Sequence, residues 1–136
     1  MSPERDPSHP ASWLRRARSN LARSRSQPGS PDVLYEDLCF DAQQAVEKAL
    51  KAVLLHRGKA FPKTHAVAEL LTLVQRSGVS LPVEIEEATS LTPYAVEARY
   101  PGVWEEVTAE DHADAVRIAE GVLRWAEGIV GAARGA

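Results

Sequence analysis

Apolar residues recur along this chain at helical spacing and nowhere sustain a strand-like alternation. No Asn-Gly or Asp-Gly hairpin turn occurs either. The pattern predicts five helices. Ser12 caps the first, with Leu14, Ala17 and Leu21 on one face, and it fades into Ser-Arg-Ser-Gln-Pro-Gly at 24–29. Ser30-Pro31-Asp32 opens the second with a cap residue, a first-turn proline and an acid. Its apolar stripe is Leu34, Leu38, Ala42, Ala45, Ala49 and Val53, widened by Val46, Leu50 and Leu54, and Gly58 ends it. Covering most of residues 31–57, it is expected to be the longest helix, about 40 Å.

Thr64 caps a third segment that turns Val67, Leu70, Leu71 and Val74 inward and closes near Gly78. A fourth starts after Pro82, carries Ile85, Ala88 and Leu91, and stops near Thr92 because Pro93 cannot donate to a helix. Tyr94 to Tyr100 adds a further turn before Pro101-Gly102. Thr108 and Asp111 resemble a capping box ahead of Ala115, Ile118, Val122, Trp125 and Ile129. Breaks are expected near 58–63, 78–81 and 100–108. Short connections favour antiparallel neighbours, so the expected fold is an all-α up-and-down bundle of four to five helices. It forms a single domain over residues 11–133, after a disordered arm over 1–10.

Composition narrows the function. The 136 residues suit one self-sufficient core. No apolar run reaches a bilayer-spanning length and the first 30 residues lack a secretory apolar stretch, so a cytoplasmic location is expected. One cysteine, Cys39, excludes a disulfide framework and reads as a small core residue. The net charge of −3 conceals +4 over residues 1–30 and −7 over the rest. That split fits a basic arm meeting a phosphate backbone or acidic partner, or an arginine-rich helix in an arginine- and alanine-biased sequence.

Phosphate-loop, dinucleotide-binding and His-Glu-x-x-His zinc motifs are absent, and the four histidines are not paired at helical spacing, so neither metal nor cofactor is expected. Residues 56–65 hold Arg57, Lys59, Lys63, His56 and His65 with no acid, ending at a helix start whose N–H groups and dipole favour an anion. Arg99 and Tyr100 form a second candidate: a guanidinium grips phosphate bidentately and a phenol stacks on a base. Gln44, Glu47, Lys48 and Lys51 share one helical face. Each has an ordinary alternative: a solvated loop plugged by Phe61 and Pro62, an ion pair tethering a helix end, and plain solvated surface.

Taken in order, Gln44 to Ala52, then Phe61-Pro62-Lys63-Thr64-His65, then Ala98-Arg99-Tyr100-Pro101 resemble the prokaryotic HEPN domain family (higher eukaryotes and prokaryotes nucleotide-binding) over roughly residues 11–130. The resemblance implies a helical bundle, usually dimeric, and frequent pairing with a separately encoded minimal nucleotidyltransferase in a toxin–antitoxin-type operon. Many members are metal-independent ribonucleases with an Arg-x(4–6)-His motif, in which histidine moves protons and arginine stabilises the phosphorane. Here Arg57 and His65 are separated by seven residues, Arg5 and His9 by three, and Arg99 and His112 by twelve, so no pair matches.

The expected function is therefore non-catalytic binding of nucleotide or RNA phosphate by Lys63, His65, Arg99 and Tyr100, completed by Lys48 or Lys51, in a homodimer that acts with a nucleotidyltransferase partner. Trp13, Trp104 and Trp125 are candidates for the dimer interface. One alternative is a metal-independent endoribonuclease using His65 with Arg99 or Arg57. The other is a structural interaction protein without a nucleotide site.

Overall fold

The computed structural model describes residues 2–26, 28–95 and 105–135, with only the backbone for 132–135. Among them are five α-helices and no strand, as the periodicity predicts: α1 (Pro10–Arg25), α2 (Tyr35–His56), α3 (Val67–Arg76), α4 (Val83–Glu86) and α5 (Ala109–Gly135). A 3-10 turn precedes α1 at Pro3–Arg5, and a 3-10 stretch, Glu87–Ala95, continues α4.

α2 is the axis of the bundle, packed on α1, α5, α3 and the 3-10 stretch. It is buried nearly all round, polar side chains such as Asp41, Gln43, Glu47 and Lys51 included, as expected of a helix enclosed by others. Ala42, Ala45, Ala49 and Ala52 are fully buried alongside Val46, Leu50, Val53 and Leu54. The alanines present little side-chain bulk, so neighbouring helices approach closely, while the larger residues fill the space between them.

Contacts between charged and polar side chains give the directions of the helices. Asn20 reaches Asp41 and Lys48, and Arg23 reaches Asp41, so α1 and α2 run antiparallel. Arg18 pairs with Glu127 and Arg25 with Glu120, so α5 is antiparallel to α1. α3 runs in the same sense as α2. His65, before α3, lies against Gln43 and Glu47, while Ser77, after it, lies against Arg57. The segment between α2 and α3 therefore travels back along α2 before the chain turns into α3.

Helix ends explain where the pattern and the structure part. Gly58 and Gly78 take positive φ, 71° and 100°, and terminate α2 and α3 at the breaks expected for them. The capping box forms: the Thr108 N–H donates to Asp111 Oδ2 at 3.0 Å, and the Asp111 N–H donates to Thr108 Oγ1 at 3.1 Å. α1 begins before Ser12, because His9 Nδ1 accepts from the Ala11 N–H at 3.1 Å and Pro10 takes the first helical position. α2 begins later than expected. Ser30 closes its own turn, accepting from the Asp32 N–H through Oγ and from the Val33 N–H through its carbonyl, and the helix starts at Tyr35. With 22 residues α2 is shorter than α5, whose 27 make it the longest. The fourth segment is α-helical for only four residues, then 3-10 through Pro93 to Ala95. The turn expected up to Tyr100 lies outside the described residues beyond that point, as does Trp104.

Leu50→Ala is expected to lower unfolding stability by about 2–5 kcal/mol, because the fully buried side chain leaves a cavity. Thr108→Ala should cost about 1 kcal/mol through the lost cap. Urea unfolding measures both, and a smaller loss for Leu50→Ala than for Thr108→Ala would contradict this packing.

Candidate functional site

One stripe of α2 breaks its apolar surface. Gln43, Glu47 and Lys51 follow one another a helical turn apart. Lys51 Nζ donates to Glu47 Oε1 at 2.6 Å. Gln43 Nε2 donates to Glu47 Oε2 at 3.3 Å and to the His65 carbonyl at 3.4 Å. His65 Nδ1 lies 3.0 Å from Glu47 Oε2. The Glu47 and Lys51 side chains are 5% and 9% exposed, whereas that of His65 is 68% exposed. A buried ion pair thus holds an imidazole at the surface.

Electrostatics define the proton on that imidazole. Burial opposes the Glu47 charge, but hydrogen bonds from Lys51 and His65 outweigh it and hold the carboxyl below its ordinary value of 4.5. Near neutral pH Glu47 is therefore ionised and only accepts. His65 Nδ1 must carry the proton between them, which leaves Nε2 of the neutral ring as an acceptor. Nε2 has no hydrogen-bond partner among the described residues.

The Lys51 ammonium is satisfied from two sides. Opposite Glu47 it lies 5.7 Å from the centre of the Trp13 ring and 5.3 Å from that of Phe61. These rings meet edge to face, with centroids 5.2 Å apart. Trp13 Nε1 donates to the Pro7 carbonyl at 2.8 Å, which ties the residues ahead of α1 to the same corner.

The structure separates the candidates. Lys51 and His65 converge on Glu47, and Lys63 is exposed two residues before His65. Lys48 turns towards α1 instead, donating to Asn20 Oδ1 at 2.6 Å. Arg57 does not meet His65. Its Nε and Nη2 donate to the Ser77 carbonyl at 3.2 and 2.7 Å, at the other end of α3 and about 15 Å along that helix. Arg99 and Tyr100 lie outside the described residues.

Two readings need correction. The face bearing Gln44, Glu47, Lys48 and Lys51 is not solvated surface: Glu47 and Lys51 are buried and the other two half-buried. The start of α3 also offers an anion little backbone. Thr64 Oγ1 accepts from the Ala66 N–H, Thr92 Oγ1 accepts from the Val67 N–H at 3.4 Å, and the Glu69 and Leu70 N–H groups bond back to the Ala66 carbonyl. Hydroxyls already occupy the place expected for phosphate. Glu47 as the organising carboxylate, with Gln43 and Trp13 around it, was not identified from spacing, although the Glu47–Lys51 i,i+4 pair was its visible trace.

Other polar features offer poorer sites. His112 is buried, bonded through Nε2 to the Ser24 carbonyl and tilted against Tyr35. A depression of about 400 Å³ between Pro31 and Val107 is lined by Glu36 and Glu106, which disfavour an anion. Among the described residues no group of three or more His, Cys, Asp or Glu could hold a metal ion, and no helix is long and apolar enough to cross a membrane.

The fold defines the class, an all-α bundle packed around one central helix. The family model of the HEPN domain matches residues 11–129, and the chain belongs to that family. Its fold is similar to the crystal structure of ST0689, an archaeal HEPN homologue. That protein is 27% identical, with a TM-score of 0.69 over 89% of this chain and 97% of the other. No curated protein matches the chain significantly.

Lys51→Met is expected to cost about 3–5 kcal/mol near neutral pH, because it strands a buried carboxylate. The deficit should shrink as pH falls. In the wild type the depressed Glu47 pKa gives a contribution complete above about pH 4.5 and lost as pH falls through the folded value. In the variant burial acts with less opposition, so Glu47 takes up its proton at higher pH and the stranded charge disappears sooner. Urea unfolding of both proteins across that range checks the sign; a deficit that widens on acidification contradicts it.

Proposed function

We propose that this HEPN protein binds the phosphate of a nucleotide or of RNA at the Glu47–His65 corner, without a catalytic step of its own. It acts as a homodimer with a nucleotidyltransferase-type partner in a toxin–antitoxin-type pair. The observation that carries the binding reading is the exposed His65 imidazole, oriented by a buried carboxylate and followed outward by the exposed Lys63. With phosphate bound the ring carries a proton on each nitrogen, so that Nδ1 donates to Glu47 and Nε2 donates to the phosphate. Arg99 clamps the phosphate in this reading and Tyr100 stacks on the base. Its support is Thr92, which brings the end of the 3-10 stretch to the start of α3, seven residues before Arg99. The partner and the dimer rest on the family likeness.

One observation favours a second reading, a metal-independent endoribonuclease. A histidine with Nδ1 on a carboxylate and Nε2 open is arranged to take a proton from a ribose 2′-hydroxyl. The phosphorane charge would then need a cation, which Arg57 does not supply.

Titration calorimetry with ATP and a short RNA tests the proposal. Wild type should bind at least one, more weakly as salt rises. His65→Ala should lose about tenfold or more in affinity, the loss expected for a hydrogen bond to a charged group. Arg99→Lys should also bind more weakly, because it keeps charge but loses the fork. RNA should stay intact in EDTA. Cleavage that His65→Ala abolishes selects the ribonuclease, and no binding by wild type removes both readings. Light scattering at micromolar concentration should report a dimer; a monomer removes that part of the proposal.

A further inference from the structure

The polar edge of the α1–α2 contact extends well beyond the His65 corner. Arg16, Asn20 and Arg23 follow one another at helical spacing on α1, against Lys51, Lys48 and Asp41 on the antiparallel α2. Asn20 joins the two helices: its Oδ1 accepts from Lys48 at 2.6 Å and its Nδ2 donates to Asp41 at 3.1 Å. Arg23 meets Asp41 at 3.4 Å, and its side chain is 69% exposed. The seam runs from Lys51 to Asp41, ten helical residues and about 15 Å, and its near end is the Lys51–Glu47–His65 cluster.

Charge along this seam is unbalanced. Four cations, Arg16, Lys48, Lys51 and Arg23, face two carboxylates, Glu47 and Asp41, both of which also attract Lys48. Arg16 is exposed and has no hydrogen bond or ion pair among the described residues. Among the described residues Lys48 has only the neutral Asn20 oxygen as its hydrogen-bond acceptor. Burial, and then the nearby Arg16 charge, hold its ammonium pKa below the ordinary lysine value, so the site keeps a cation that its surroundings disfavour. An anion between Arg16 and Lys48 would reverse that balance. In a protein of net charge −3 this positive line is local.

We infer that the α1–α2 seam is a track for the phosphodiester backbone of single-stranded RNA, which enters past Arg23 and leads to His65. The inference rests on the phosphate reading of the His65 corner and adds the ligand's length. A mononucleotide at His65 does not extend along a seam of about 15 Å. An oligonucleotide places successive phosphates near Lys48, Arg16 and Arg23.

Fluorescence anisotropy with labelled hexauridylate, beside calorimetry with UMP, tests this on the full chain. Arg16→Gln removes an exposed, unpaired charge, and circular dichroism checks its helix content. Arg15→Gln removes another exposed charge one residue away on a different face. Wild type should bind hexauridylate more tightly than UMP. Arg16→Gln should weaken hexauridylate about fivefold to tenfold and lower its salt slope by about 0.7, the loss of one single-strand phosphate contact. UMP affinity should stay unchanged, and Arg15→Gln should alter neither ligand. Equal losses in the two variants, or none in Arg16→Gln, overturn the track. Wild type that binds UMP and hexauridylate equally overturns it while leaving the His65 reading intact. Binding of neither overturns both.

Discussion

A carboxylate in the middle of α2 has to be reconciled with the core around it, and much of this fold follows from how that is done. Val46 and Leu50, its neighbours along the helix, are fully buried, and Glu47 itself is nearly so. An ionised carboxylate in such a place is costly unless it is paired and hydrogen-bonded on several sides. Lys51 one turn on, Gln43 one turn back and His65 from the returning chain together meet that requirement. Lys51 is buried in turn, and the rings of Trp13 and Phe61 cover it. One charge therefore recruits α1, α2 and the segment between α2 and α3.

That recruitment bears on topology as well as chemistry. A direct turn from α2 into α3 would set the two helices antiparallel. Phe61 beside Lys51 and His65 beside Glu47 instead hold the connecting segment back along α2, and α3 then runs in the same sense as α2. His65 ends up with one edge fixed to the core and the other in solvent. Glu47 itself is too buried to touch a ligand, so its influence passes through the imidazole that it orients. Removing the buried pair would loosen the chain path and the site together.

Local features were legible in the sequence and tertiary ones were not. The Thr108–Asp111 capping box and the glycine ends at Gly58 and Gly78 depend on a few neighbouring residues, and the structure has all of them. The inward faces of α2 from Leu38 onward and of α3 follow directly from periodicity. Leu34, however, is exposed ahead of α2, and on α5 the buried face takes in Ala119, Leu123, Ala126 and Val130 and leaves Trp125 and Ile129 half-buried. Ser30-Pro31-Asp32 misled because a capped turn and a capped helix share their first residues. Glu47 and Lys51 misled for another reason: periodicity reports that a stripe is polar, not whether another helix covers it. The cover comes from Trp13, in a different helix, and from Phe61, in the return segment. His65 is a candidate from its place at a helix start, but its partner Glu47 lies 18 residues earlier in the chain, and no spacing rule joins them. The motif order resembling the HEPN family supplied the class that single residues did not.

The central claim is that buried Glu47 fixes the proton of His65 on Nδ1 and leaves Nε2 open towards solvent. Nitrogen-15 NMR of the histidine side chains at mildly alkaline pH measures that tautomer directly. The account predicts that neutral His65 is predominantly protonated on Nδ1 in the wild type, and that Glu47→Ala abolishes the preference. A neutral His65 protonated mainly on Nε2 in the wild type, or a tautomer indifferent to Glu47→Ala, would contradict it.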